Sequence, residues 1–382
     1  METERIKALE SLRGFAAICV VLYHFDAHSL LNNELTRNAW LMVDFFFVLS
    51  GFVISLTYSQ RLNTAPRFLR FAKRRFYRLY PLHLLTLTCL IGFELTKYLA
   101  NTQLGFKTAT AAFAGNSTLE SLWPNLLMLQ NFILEDLSWN RPSWSISAEF
   151  VTYLVFGAFI LLTTGNKQLR AAGVATIIIG SQLILQSQGM GTNNIEGPTR
   201  CVFSFFVGYL ACKIYRESNS PIHPFFTGVC LAGSLTLVVV EDALSATLKP
   251  LIPLAFALTI YAVAKTPTDS KLIRSLEVRP MVFLGTISFG IYMWHQLALY
   301  LVKIALQVFA KRGVAFIPNS PNGMAANFDK PLLALISVVA VLALSIALAT
   351  ASYYWFEKRL NQRHKRNTAG IEERRNETAV PA

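Results

Sequence analysis

Charge is scarce in this sequence. Charged residues make up 15% of its 382 residues and apolar ones 53%, whereas a soluble globular domain carries about 25% charge. That shortage excludes an ordinary soluble domain, because the apolar residues fall in repeated blocks of roughly 17 to 25, the length that spans a hydrocarbon core. Cysteine is also sparse. Cys19, Cys89, Cys201, Cys212 and Cys230 lie inside apolar blocks without metal-ligand spacing, so they are read as packing residues, and neither a disulfide framework nor a metal cluster is expected. A separate cleavable signal pattern is absent: the first apolar run holds Arg13 and His24 and is read as a mature span. No short repeat is visible.

What is present is a series of spans. They are expected near 12–30, 39–59, 79–99, 144–164, 171–188, 200–215, 224–241, 248–264, 281–309 and 331–356. The fold class is therefore an all-α integral membrane protein of about ten transmembrane helices, with residues 1–360 as one multi-span domain and 361–382 as a disordered basic tail. The segment 118–136 is apolar but broken by Pro124 and framed by Glu120, Glu135 and Asp136. It is read as an interfacial or re-entrant piece packed over the bundle.

Acidic residues are missing where basic ones concentrate. Arg61, Arg67, Arg70, Lys73, Arg74, Arg75 and Arg78 follow one another without a carboxylate, and such a loop stays in the cytoplasm. With an even number of spans, both termini are then cytoplasmic. The net charge of +13 is this asymmetry; it is not a nucleic-acid footprint, although the basic loop can touch anionic lipid.

Titratable groups inside spans are where chemistry can be sought, since each costs several kcal/mol in hydrocarbon unless partnered. Arg13 and His24 lie eleven positions apart, which on a helix is three turns plus about 20°, so they share one face about 16 Å apart. Glu149 lies about 9 Å below Ser143 and His295 about 21 Å above Met281 on their own helices. With alternating span directions, His24, Glu149 and His295 converge on the central-to-outer third of the bilayer. Asp44 occupies the outer part of the second span and reads equally as a helix-capping or a catalytic carboxylate. Arg75 and Arg78, at i and i+3, project from one helical face. Two guanidinium forks suit phosphate, though inside-positive topology alone also accounts for them. A phosphate-rich donor with a reactive end reaching upward would use both the arginines and the deep histidine; coenzyme A has that shape.

The sequence resembles the membrane acyltransferase-3 family, which includes bacterial O-antigen and exopolysaccharide O-acetyltransferases. The resemblance rests on "RGFAAICVVLYH" with Arg13 and His24, "FFFVLSGFVIS" with Ser50 and Gly51, "RRFYRLYP" with Arg75 and Arg78, "PSWSISAEF" with Trp144 and Glu149, and "LGTISFGIYMWH" with Ser288, Tyr292 and His295. It implies an enzyme of the bacterial inner membrane that moves an acyl group, most commonly acetyl, from cytoplasmic acyl-CoA to a hydroxyl of a cell-surface carbohydrate or lipid-linked glycan. By the same resemblance His24 and Glu149 are catalytic and Arg13, Arg75 and Arg78 bind the donor; Asp44, Ser50, Trp144, Tyr292, His295 and Arg200 are further supporting candidates. Some relatives append a soluble domain after the last span. About 26 residues follow it here, so none is expected.

The chemistry is also coherent on its own. A neutral imidazole, with an ordinary pKa of about 6.5, can deprotonate an acceptor hydroxyl, or can itself attack the thioester and become transiently acylated. Glu149 can orient and stabilise the imidazole. Ser50 reads as a nucleophile or, preceding Gly51, as a close-packing residue. A secondary transporter of an anionic or proton-coupled solute would bury a similar set of groups, but its usual relation between two halves is not visible here.

Overall fold

The computed structural model describes residues 6–27, 31, 33–103, 105, 111–310, 324–326 and 331–359. The tail 361–382, the proposed domain edge at 360 and the last residues of the first expected span lie outside this set. Helices dominate the chain. α1 (Lys7–His24) leads into strand β1 (Phe25–Ala27), then come α2 (Glu34–Arg37), α3 (Met42–Tyr58) and α4 (Ala65–Gln103). Two short helices, α5 (Leu122–Leu126) and α6 (Gln130–Ile133), precede α7 (Trp144–Leu162), α8 (Lys167–Gln188), α9 (Glu196–Glu217), α10 (Pro224–Val239) and α11 (Ile252–Lys265). α12 (Lys271–Leu276), α13 (Arg279–Thr286), α14 (Ser288–Ala310), β2 (Met324–Ala326) and α15 (Pro331–Ser352) complete the order. The described chain is all-helical as expected, apart from a three-residue parallel pair of β1 and β2, with Phe25 opposite Met324.

Each of the ten expected spans is occupied by helix. Six helical stretches among the described residues are long and apolar enough to cross a membrane: Ala39–Tyr58, Ala65–Gln103, Arg141–Leu162, Lys167–Gln188, Ser288–Leu306 and Leu332–Glu357. The others fall short for local reasons. α1 carries Lys7, Glu10 and Arg13, α9 has charges at both ends, and α10 and α11 are 16 and 14 residues long.

The basic segment 61–78 was expected to be a loop, and most of it is not. From Ala65 it is the first part of the 39-residue α4. Pro66 sits in the first turn, where a missing N–H costs nothing, and no glycine follows until Gly92. The helix even passes through Pro81, where one backbone bond is lost and a kink is the usual accommodation. The expected single span 281–309 is divided instead: α13 stops at Thr286 and α14 starts at Ser288, whose Oγ donates to the Gly285 carbonyl at 2.8 Å.

Close backbone approach sets the core. A Cβ added at Gly51 of α3 would lie 2.0 Å from the Phe205 carbonyl oxygen of α9, and one at Gly208 of α9 would lie 2.0 Å from that of Val48. The pair acts reciprocally, as small residues do between membrane helices. Above this contact the 118–136 segment is broken, as expected, into α5 and α6; α6 packs on α7, and Ser147 donates to the Met128 carbonyl at 2.8 Å.

Candidate active site

A cavity of about 1180 Å³ runs between α1, α3, α4, α7 and α14. Its lining on α3 extends from Val43 to Thr57, about 21 Å of helix. At one end are Ile6 just before α1, Glu10 and Arg13 of α1, Thr57 of α3, Arg75 and Arg78 of α4, and Phe289. At the other are Val43, Phe46, Ser145 and Tyr292.

Arginine dominates the first end. Arg75 and Arg78 do share a helical face and both meet the cavity. The Arg75 guanidinium lies 5.4, 6.0 and 5.9 Å from the ring centres of Tyr58, Phe71 and Tyr153, and its Nη2 contacts the Tyr58 hydroxyl at 3.4 Å. These contacts orient the side chain without neutralising it. Arg78 lies over Phe289 and 3.5 Å from Glu357, delivered by a π-helical turn, Tyr353–Glu357, after α15. Arg13 has Glu10 at 3.5 Å on its own helix.

Midway along the cavity, Ser50 and Tyr153 both donate to Glu149 Oε1, at 2.6 and 2.5 Å, and their hydroxyls are 2.8 Å apart. The structure thus gives Glu149 two hydroxyl partners in place of the expected imidazole. The packing expected of Ser50 is performed by Gly51, which leaves Ser50 facing the cavity.

Beyond the far end lies an imidazole pair. His24 stacks on His295 with ring centres 5.0 Å apart and planes 27° apart. His295 is fully buried and 5.7 Å from Tyr292. Tyr292 is the last residue of this series on the cavity wall; its hydroxyl donates to the Pro142 carbonyl at 2.8 Å and lies 2.8 Å from Ser145 Oγ. His24 itself is half-buried and not part of the cavity wall.

Asp44, Arg200 and Trp144 belong together elsewhere. Arg200 Nη2 meets Asp44 Oδ2 at 2.6 Å with both side chains buried. Its Nη1 donates to the Met190 and Gly191 carbonyls, and its guanidinium sits 4.8 and 5.4 Å from the Trp40 and Trp144 rings. Every strong direction of this arginine is used, so Asp44 and Arg200 join α3 to α9 and do not face the cavity. Tyr153, Glu10, Glu357 and Tyr58 were not anticipated. Only Tyr153 carried a usable signal, standing four residues after Glu149 on one helix.

Fold and site define a helical membrane protein with an arginine-bearing cavity that ends below a stacked histidine pair. The chain belongs to the acyltransferase-3 family: the profile of its acyltransferase domain matches residues 6–350. An acyltransferase of Streptomyces mycarofaciens, MdmB, is 26% identical over 325 residues, covering 76% of this chain and 78% of that protein. The peptidoglycan O-acetyltransferase OatA of Listeria monocytogenes is 25% identical over 333 residues, and the O-acetyltransferase OatA of Staphylococcus aureus 24% over 315. These alignments cover 79% and 76% of this chain but span only about half of each OatA, 51% and 50%. No solved structure matches.

Proposed function

We propose that this protein transfers an acetyl group from acetyl-CoA, bound from the cytoplasmic side, to a hydroxyl of a surface carbohydrate or lipid-linked glycan. The observation that carries the reading is the cavity itself. Three arginines converge at one end, and a pantetheine arm of about 16 Å, at the ~1.2 Å per bond of an extended chain, fits within its length. Arg13, Arg75 and Arg78 hold the phosphates, Arg75 and Arg78 as planar forks. The thioester then lies beneath Tyr292, next to the His295–His24 pair. Glu149, fixed by Ser50 and Tyr153, places a carboxylate beside the arm and holds the wall in register. His24 deprotonates the acceptor hydroxyl, the oxygen attacks the thioester carbon, and the thiolate leaves with the proton from His24.

The cap over α7 is polar inside. Asn125, Gln130, Asn131 and Asn140 are all buried and spend their NH₂ groups on neighbouring oxygens, Gln130 on Ser143 and Asn140 on Met293 among them. All four side-chain amide oxygens lack a donor among the described residues. In this reading the chain makes ten crossings of a bacterial inner membrane with cytoplasmic termini, and residues 1–360 form the catalytic domain.

Purified protein given acetyl-CoA together with a hydroxyl-bearing envelope glycan fraction tests the proposal. Release of free thiol above the uncatalysed rate is expected. Counterflow of a small anion with no thiol release would favour a carrier instead.

A further inference from the structure

A buried imidazole with neither ring nitrogen hydrogen-bonded is costly, since it gives up its hydration without a bond in return. His295 is in that state. It is fully buried, and neither Nδ1 nor Nε2 has a partner among the described residues. The Ile291 and Tyr292 carbonyls, a turn earlier on α14, face the ring without hydrogen-bond geometry.

Its position explains what the cost maintains. From ring to ring, starting at the cavity wall, the order is Tyr292, His295, His24. Two neighbouring donors are committed. The Tyr292 proton goes to the Pro142 carbonyl, and the Asn140 amide goes to Thr86 and the Met293 carbonyl. His24, acting as a base, offers a lone pair. An uncommitted N–H in direct ring contact with His24 is that of His295; Arg141 Nε, also unpartnered among the described residues, has no ring contact with His24.

We infer that His295 is a second catalytic residue, whose ring N–H polarises the thioester carbonyl and holds the negative oxygen of the tetrahedral intermediate. This rests on the acetyl-CoA reading above. When the acceptor oxygen bonds to the carbonyl carbon, its proton passes to His24 and the C=O π pair moves onto the carbonyl oxygen, which accepts from His295. When that pair returns, the C–S bond breaks and the thiolate takes the proton from His24. No redox change occurs, and His295 ends unchanged. Donors preorganised in a dry site cost no rearrangement at the moment of reaction, and losing one lowers kcat by about a hundredfold to a thousandfold. The stack on His24 serves the same step by fixing the angle between the two rings.

Three variants test this. His295→Phe keeps a ring against His24 but has no N–H. His295→Gln and His295→Met have similar volumes and differ in the N–H. The readouts are kcat for acetyl-CoA turnover with an envelope glycan fraction as acceptor and the Kd of free CoA, the latter reporting that each variant is folded with its donor cavity intact. The Phe and Met variants should bind CoA as the unaltered protein does and lose about a hundredfold or more in kcat, with Gln recovering at least tenfold over Met. Full turnover in Phe or Met, or Gln as slow as Met while both bind CoA, would overturn the role of His295 and leave the functional reading standing. Unaltered protein that binds CoA but never cleaves acetyl-CoA would overturn both.

Discussion

Arg75 and Arg78 do different work although their spacing puts them side by side. Arg75 is ringed by aromatics and carries no carboxylate partner among the described residues, whereas Arg78 already faces Glu357. Alanine at either position should raise the acetyl-CoA KM, and lysine should rescue only in part because the planar fork is lost. The larger effect is expected at Arg75, whose charge has no internal competitor; steady-state KM values decide it. Ser50 offers a contrast. If it were the acyl nucleophile, Ser50→Ala would be inactive. With Tyr153 still holding Glu149, the loss should stay within about tenfold, the rate equivalent of one hydrogen bond. The Asp44–Arg200 pair makes a prediction about folding. Arg200→Met strands a buried carboxylate and should cost about 3–5 kcal/mol, while Asp44→Leu with Arg200→Met should recover most of it; thermal unfolding of the three proteins in one detergent measures the difference. Much of this residue-level site was legible beforehand, because polar groups within apolar blocks need a reason. Their partners were not legible. That Glu149 meets Ser50, and Asp44 meets Arg200, depends on which helices touch, and span positions alone do not determine that.

Among the elements, α1 carries the most geometry. It is unbroken from Lys7 to His24, so Arg13 at the cavity and His24 at the imidazole pair are joined by one rigid rod about 16 Å apart. One alanine inserted after Ile18 turns His24 by about 100° and lifts it by only about 1.5 Å, whereas four insertions nearly restore the face and lift it by about 6 Å. Activity should vanish in the first protein and return in part in the second; a single insertion that works normally would end the idea of α1 as a ruler. α3 and α9 form the second rigid unit. Gly51→Leu would drive a side chain into the Phe205 backbone, a clash that cannot be relieved by rotating a neighbouring side chain, so loss of folded protein on size-exclusion chromatography is expected. Apolar blocks located these helices but not their ends. The start of α4 at Ala65 was visible in principle in the Thr64-Ala65-Pro66 sequence; the density of arginine, read as topology, concealed it.

The whole molecule places its two polar ends on opposite sides of one aromatic barrier. The arginines meet the cavity where α1 begins and α3 ends, and the histidines lie where α1 ends, with Phe46 and Tyr292, 6.0 Å apart, between. That arrangement suits a donor and an acceptor that arrive from opposite faces of a membrane and meet at His24. The measurement that tests this most directly is the appearance of radiolabelled acetyl, supplied as acetyl-CoA, in hydroxyl esters of envelope glycan, compared between the unaltered protein and His24→Ala at equal CoA occupancy. The account predicts ester formation by the former and a loss of about a hundredfold to ten-thousandfold in the latter, the range for a general base. Equal ester formation by both proteins would contradict it.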